Sequence, residues 1–270
     1  MTIKTKSLPG GGLSVHTIKL LAAALMLLDH IHQMFYMHGA PLWLSMAGRA
    51  VFPLFLFASA EGFAHTRSKR AYLRRLLLGS IAMVAMTTAL QQLVPNENVV
   101  LMNNAFSTFF VAGWYMLCWD SFTDGLHRRR PWPVVKAVLM GLVPVLSALP
   151  MLAVGWLSSV EGIPFPLLRV LVALALMVPN LLTAEGGPLM VLLGVVFYVF
   201  RKRRALQIIS LLLLSALTYI IGGGYQWMMC LAAPVMALYN GQRGQGSRQF
   251  FYIYYPAHIA LLYLLSSWVG

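Results

Sequence analysis

Asp29 and His30 stand side by side in the otherwise apolar run Leu27-Leu28-Asp29-His30-Ile31-His32. An imidazole titrates near neutral pH and can act as a general base. A neighbouring carboxylate can orient the ring and stabilise its protonated form. Arg49 adds a guanidinium suited to a phosphate, a carboxylate or a developing oxyanion, and His258 is a second acid-base candidate. The competing expectation is that Asp29 bonds Lys19, Arg49 or a helix amide and merely fixes packing. Metal binding is disfavoured, because His30 and His32 lie two apart on a helix and point to different sides, with no HExxH, carboxylate pair or clustered thiolates nearby. With no GxGxxG, Walker loop or GxSxG either, any nucleophile must come from the substrate.

The surroundings of these residues are those of a membrane protein. The chain of 270 residues is 59% hydrophobic and 10% charged, against roughly 25% charged in soluble domains. Its apolar runs continue for about 20 residues, a bilayer's thickness of helix. An aspartate near a bilayer centre costs on the order of 2.5 to 3.5 kcal/mol, so Asp29 is expected to face a bundle interior or a watery cavity. The formal charge of +13 would suit nucleic acid on a soluble surface, but it is clustered. Arg67, Lys69, Arg70, Arg74 and Arg75 form one group, Arg128, Arg129, Arg130 and Lys136 a second, and Arg201, Lys202, Arg203 and Arg204 a third. These clusters fit cytoplasmic loops that touch anionic lipid headgroups, not nucleic acid. Cys118 and Cys230, far apart in apolar segments, read as packing residues rather than a disulfide or metal pair.

The expected fold is an all-α, polytopic transmembrane helix bundle with about nine to ten hydrophobic segments. Residues 1–14 read as a flexible cytoplasmic tail and 15–270 as a single membrane domain. Spans are expected over about 15–37, 42–65, 76–94 and 105–120, with Thr66 to Arg75 a basic loop. Pro53 should kink the second span. Three apolar runs follow over about 134–157, 165–183 and 187–200, and their odd number breaks topological parity between two basic clusters. One run within 134–183 is therefore expected not to cross. Glu161 would then lie at an outer surface. The last spans are placed at about 205–221, 225–239 and 250–268, with a turn at Gly222-Gly223-Gly224 and His258 at a depth that brings it within reach of His30. Asn104 is expected to cap the fourth span, and the aromatic run 250–255 to form a belt or pack helices.

The chain resembles the TraX-type integral membrane acyltransferases. The resemblance is carried by Leu27-Leu28-Asp29-His30-Ile31, by Gly48-Arg49-Ala50-Val51-Phe52-Pro53-Leu54-Phe55, and by Glu61-Gly62-Phe63-Ala64-His65-Thr66-Arg67. It continues at Asn103-Asn104, at Glu185-Gly186, at Tyr239-Asn240-Gly241-Gln242-Arg243-Gly244, and at Phe250 to His258. His32 and the long 134–183 region depart from the pattern.

The resemblance implies transfer of an acyl group, foremost acetyl from acetyl-CoA, to an amine or hydroxyl of a peptide such as a pilin amino terminus, a sugar or a small molecule. His30, oriented by Asp29, would take the acceptor's proton, with His258 a further catalytic candidate. Arg49, Glu61, Asn104 and Tyr255 would face substrate or oxyanion, and Arg67, Asn240 and Arg243 would bind the CoA thioester. The expected location is a bacterial inner membrane with the amino terminus cytoplasmic. A proton-coupled transporter built on the same Asp, His and Arg groups is the alternative.

Overall fold

A computed structural model describes residues 11–160, 162–222, 224–246 and 248–269. Most of the expected tail, over 1–10, together with Glu161 and Gly223, lies outside the described residues. Among the described residues the regular secondary structure is all helical, apart from an isolated β-bridge between Leu13 and Tyr239. The helices are α1 Val15–Phe35, α2 Trp43–Gly48, α3 Val51–Ala64, α4 Lys69–Leu93, α5 Ala105–His127 and α6 Pro131–Leu146. They continue as α7 Leu149–Leu157, α8 Phe165–Leu176, α9 Gly187–Val199, α10 Arg204–Gly222, α11 Ala232–Ala237 and α12 Arg248–Val269.

Among the described residues, 6 helical stretches are long and apolar enough to cross a membrane: Val15–His38, Trp43–Ala64, Lys69–Leu93, Pro131–Leu157, Arg204–Gly222 and Gln249–Val269. The protein is thus a multi-pass membrane protein, but with fewer such helices than the nine to ten segments expected. The shorter apolar helices Phe165–Leu176, Gly187–Val199 and Gln226–Ala237 account for part of the difference. A helix of 12 residues like α8 reaches only about 18 Å, short of a hydrocarbon core of roughly 30 Å. The expected return span at 225–239 is a 3-10 turn, Gln226–Leu231, followed by the six residues of α11. α5, at 23 residues, is long enough but is not one of these six; Ser107, Thr108, Asp120 and Asp124 interrupt its apolar sequence.

The expected loop Thr66 to Arg75 is also largely helix. The Ser68 side chain accepts from Ala71 N at 3.2 Å, and this cap starts α4 at Lys69. Lys69, Arg70, Arg74 and Arg75 therefore occupy its first two turns.

The chain forms two compact units, Met1–Glu61 with Phe200–Ser266 and Gly62–Val199 with Ser267–Gly270. In the first unit, Ser14 caps α1 by accepting from Thr17 N. The strand-like entry to α1 is gripped by the loop after α11. Leu13 N donates to Leu238 O (2.8 Å), Asn240 N to Leu13 O (3.0 Å), Val15 N to Gln242 O (2.9 Å) and His16 N to Arg243 O (3.1 Å). The last two bonds satisfy amides of the first helical turn, which have no partner within the helix. The second expected span is broken at Arg49-Ala50. Pro53 lacks the N–H that would bond the Arg49 carbonyl, and its ring clashes with that same carbonyl, so the break falls one turn before the proline. Ile18, Leu54, Phe57, Leu211, Met236 and Tyr263 are fully buried in this unit.

In the second unit, α5 packs against α4, α6 and α9. Gly113 permits the α4 approach, since a Cβ there would stand 2.8 Å from Leu73 Cδ2. Pro131 starts α6 at a position where its missing N–H costs nothing. Pro144, inside α6, leaves the Met140 carbonyl without its helical donor, and Trp114 Nε1 of α5 donates to that oxygen at 2.7 Å. The Tyr115 hydroxyl donates to Gly141 O at 3.1 Å beside it. Val111, Met116, Phe197 and Tyr198 are buried in this unit.

Candidate active site

The first unit brings His30 of α1 and His258 of α12 together. Both are buried, with 4% and 6% of their surface exposed, and His30 Nδ1 lies 2.6 Å from His258 Nε2. The ring centroids are 4.9 Å apart and the planes 17° from parallel. That separation is close to the N···N distance plus the radius of each ring, so the imidazoles meet edge to edge with the hydrogen bond in plane. His258 Nδ1 points at Tyr254 O, 2.7 Å away.

This geometry orders the protons. A carbonyl only accepts, so Nδ1 carries the proton of His258, and in the neutral ring Nε2 is the acceptor. His30 therefore donates its Nδ1–H, and Nε2 is the basic nitrogen of neutral His30. Tyr254 supports the arrangement from one side. Its ring stacks on His258 at 4.7 Å and 18°, and its hydroxyl donates to Ala23 O of α1 at 3.1 Å. Tyr255 is buried, with its ring centroid 6.0 Å from His258 and 6.4 Å from His30.

Asp29 does not orient His30. Its carboxylate pairs with Arg49, whose Nη2 donates to Asp29 Oδ1 at 3.0 Å. The same guanidinium donates from Nη2 to Ser45 Oγ (2.6 Å), from Nε to Ser45 O (3.1 Å) and from Nη1 to Gln226 Oε1 (3.4 Å). A guanidinium has five N–H donors, so among the described residues one Nη1–H is left over. The Arg49 side chain is 32% exposed and that of Asp29 26%. Gly48 makes the pair possible, because a Cβ there would stand 2.7 Å from Asp29 Oδ1. The sequence expectation that the carboxylate serves its neighbour failed because adjacent helical residues diverge by about 100° around the axis. Asp29 turns to the α2–α3 break while His30 turns to α12.

Compared with known protein families, residues 14–266 match the family described as TraX protein. The chain belongs to the TraX family. No curated protein and no solved structure matches it. The TraX match runs from the residue that caps α1 to the last turns of α12, and so contains both histidines and the Asp29–Arg49 pair.

The remaining candidates in this TraX-family chain divide between exposed and scaffolding positions. Glu61 is buried, its Oε1 3.6 Å from Arg204 Nη2, and it accepts from the Tyr239 hydroxyl. Arg204 lies over the rings of Phe57 (4.3 Å) and Tyr239 (4.6 Å). Burial, reinforced by the Glu61 carboxylate, pushes Tyr239 up to about 12, with Arg204 opposing. Arg204 was expected at the lipid surface with its basic neighbours, but the carboxylate and two rings draw it inward. Asn240 holds the entry to α1, its Nδ2 donating to Gly12 O at 3.1 Å and its Oδ1 accepting from Gln242 N at 2.9 Å. Arg243, in the same loop, is exposed.

In the second unit Arg67 is exposed. Asn104 caps α5, accepting from Ser107 N at 3.2 Å, while its Nδ2 donates to Ser80 Oγ (3.0 Å) and Ser80 O (3.2 Å). The Glu185 carboxylate accepts from Asn104 N at 2.8 Å, an anion at a helix N-terminus. Sequence reasoning missed a polar group in this unit. Lys69 pairs with Asp120, and Tyr198 donates to both Asp120 oxygens at 2.8 and 3.0 Å. The lone acid of an apolar stretch, Asp120, was the available signal, but the expected boundary of its span fell on that residue and hid it.

Proposed function

We propose that this protein is an integral membrane acyltransferase that moves an acyl group, foremost acetyl from acetyl-CoA, to an amine or hydroxyl acceptor. The observation that carries the reading is the proton order of the buried histidine pair, which makes His30 Nε2 the basic nitrogen. The acceptor's N–H or O–H gives its proton to His30 Nε2 as its heteroatom bonds to the thioester carbonyl carbon. The carbonyl π electrons move to oxygen, and the remaining Nη1–H of Arg49 is the proposed donor to that oxyanion. The tetrahedral intermediate then collapses, the C–S bond breaks, and the CoA thiolate takes the proton. His258 accepts the His30 Nδ1–H bond throughout and shares the positive charge on the protonated pair.

Tyr255 forms the buried wall beside both imidazoles, and Arg243 and Arg67 stand as separate candidates for the CoA phosphates. Family membership supports a peptide amino terminus, such as that of a pilin, as the first acceptor to try, ahead of a glycan or small molecule. The basic clusters support a bacterial inner-membrane protein with its amino terminus cytoplasmic.

Incubating purified protein with radiolabelled acetyl-CoA and candidate acceptors tests this. Transfer should occur with wild type and fall by about 10² to 10⁴ in His30→Ala. Wild-type transfer by that variant overturns the assignment. Uptake driven by a pH gradient without acetyl-CoA consumption would select the transporter reading.

A further inference from the structure

The second unit carries an apolar groove of about 500 Å³ between α5, α6 and α9, bordered by Cys118 and Phe122, by Ala137 and Gly141, and by Val191 and Leu192. Its polar neighbours are turned away from it: Trp114 and Tyr115 donate to the Met140 and Gly141 carbonyls, the former being the one that Pro144 leaves without a helical donor. The groove is thereby lined with carbon and one thiol. At on the order of 30 Å³ per methylene, the volume share of a small solvent molecule, it matches one long hydrocarbon chain.

Of the lining residues on α5 and α6, Phe122 and Ala137 are the nearest in sequence to the turn that joins these two walls. Phe122 and Ala137 lie six and seven residues from Arg128 and Arg130, about 9 to 10 Å along the helices. Arg128 is paired with Asp124 at 2.6 Å, but Arg129, Arg130 and Lys136 are exposed and make no side-chain bond among the described residues. Trp132 beside them is 68% exposed, as an aromatic at the membrane interface is. Arg129 also sits at φ 52°, in the left-handed region where glycine would be unstrained.

We propose that this groove is a binding site for an anionic phospholipid. One acyl chain fills the groove, and the phosphate sits on Arg129 and Arg130. The site is independent of the histidine pair and of the acyl-transfer reading.

The test uses full-length protein in phosphatidylcholine bilayer discs doped with phosphatidylglycerol or phosphatidylcholine carrying a photoactivatable diazirine on one acyl chain, with labelled peptides mapped by mass spectrometry. The phosphatidylglycerol probe should label Tyr115 to Phe122 and Ala137 to Gly141 several-fold more than the phosphatidylcholine probe. Arg129→Gly combined with Arg130→Gln should bring the two probes level. Because Arg129→Gly relieves backbone strain, thermal stability should not fall with that loss. Leu192→Trp, which fills the groove, should remove labelling by both probes. Equal labelling by the two probes in wild type, or label spread evenly over the outward faces of other helices, overturns the proposal.

Discussion

His30 Nδ1 and His258 Nε2 are 2.6 Å apart although 228 residues separate them, and the Tyr254 carbonyl assigns the protons of both rings. If the pair acts as one unit, its losses will not add. His30→Ala, His258→Ala and the double variant should each lower acetyl transfer to a similar extent, as groups that act together are non-additive. Nitrogen NMR of labelled histidine should show the neutral His258 protonated at Nδ1. A double variant whose loss is the product of the single losses, or a His258 protonated at Nε2, would contradict this arrangement.

Gly48 lets Asp29 reach Arg49. Gly48→Ala should displace the carboxylate and destabilise the protein by about 1 to 3 kcal/mol, the usual range for overpacking. Gly62 lies in α3 with open space around it, so Gly62→Ala should be neutral or stabilise by about 0.4 to 1 kcal/mol. Thermal unfolding of the two variants in the same detergent compares them; equal melting temperatures would mean that the close approach is unimportant.

Trp114 compensates for Pro144. Trp114→Phe leaves the half-buried Met140 carbonyl without this donor and should cost about 1 kcal/mol. In a Pro144→Ala background the alanine supplies the missing N–H, so the same Trp114→Phe change should cost less. A double-mutant cycle measured by unfolding reads the coupling, and a coupling of zero removes the explanation.

Asp120 joins Lys69 of α4 to Tyr198 of α9. Their ion-pair side chains are 30% and 27% exposed, so Asp120→Ala should cost about 1 to 3 kcal/mol, below the 3 to 5 of a fully buried pair. Asp124→Ala, which breaks the more exposed pair with Arg128, should cost at most about 1 kcal/mol. Reversal of that order in detergent unfolding would show that the Lys69–Asp120–Tyr198 group does not hold the unit together.

Tyr239 ionises late in the fold, at about 12 against about 10 in an unfolded chain. The folded state therefore holds this proton more tightly. Its stabilising contribution is complete below pH about 10 and is lost as pH rises through about 12. Ultraviolet titration of wild type against Tyr239→Phe should show one tyrosinate missing at the alkaline end. A difference spectrum that ends near pH 10 would refute the shift.

The helical membrane class, the interruption of the second span by Pro53 and the cap at Asn104 were legible in the sequence because each depends on neighbours within a turn or two. Apolar run length sets a span, a proline acts on the carbonyl four residues before it, and a side-chain oxygen reaches amides two or three residues on. Of the nine to ten hydrophobic segments expected, six are helices long enough to cross a membrane among the described residues, while α8, α9 and the 226–237 segment are apolar but short. Composition marked them as hydrophobic, while their lengths depended on where caps, glycines and 3-10 turns stopped them.

By itself the sequence determined that Asp29 and His30 are costly in lipid and must find partners. Only the tertiary structure decided which partners: Arg49 for Asp29 and His258 for His30. In a soluble helix the apolar stripe reveals the inward face, but in a bilayer the outward face is apolar too, so helix rotation must come from packing. The inward turn of Arg204 toward Glu61 and the Lys69–Asp120–Tyr198 group share that origin. Each joins residues distant in the chain, through helix orientations that no local pattern encodes.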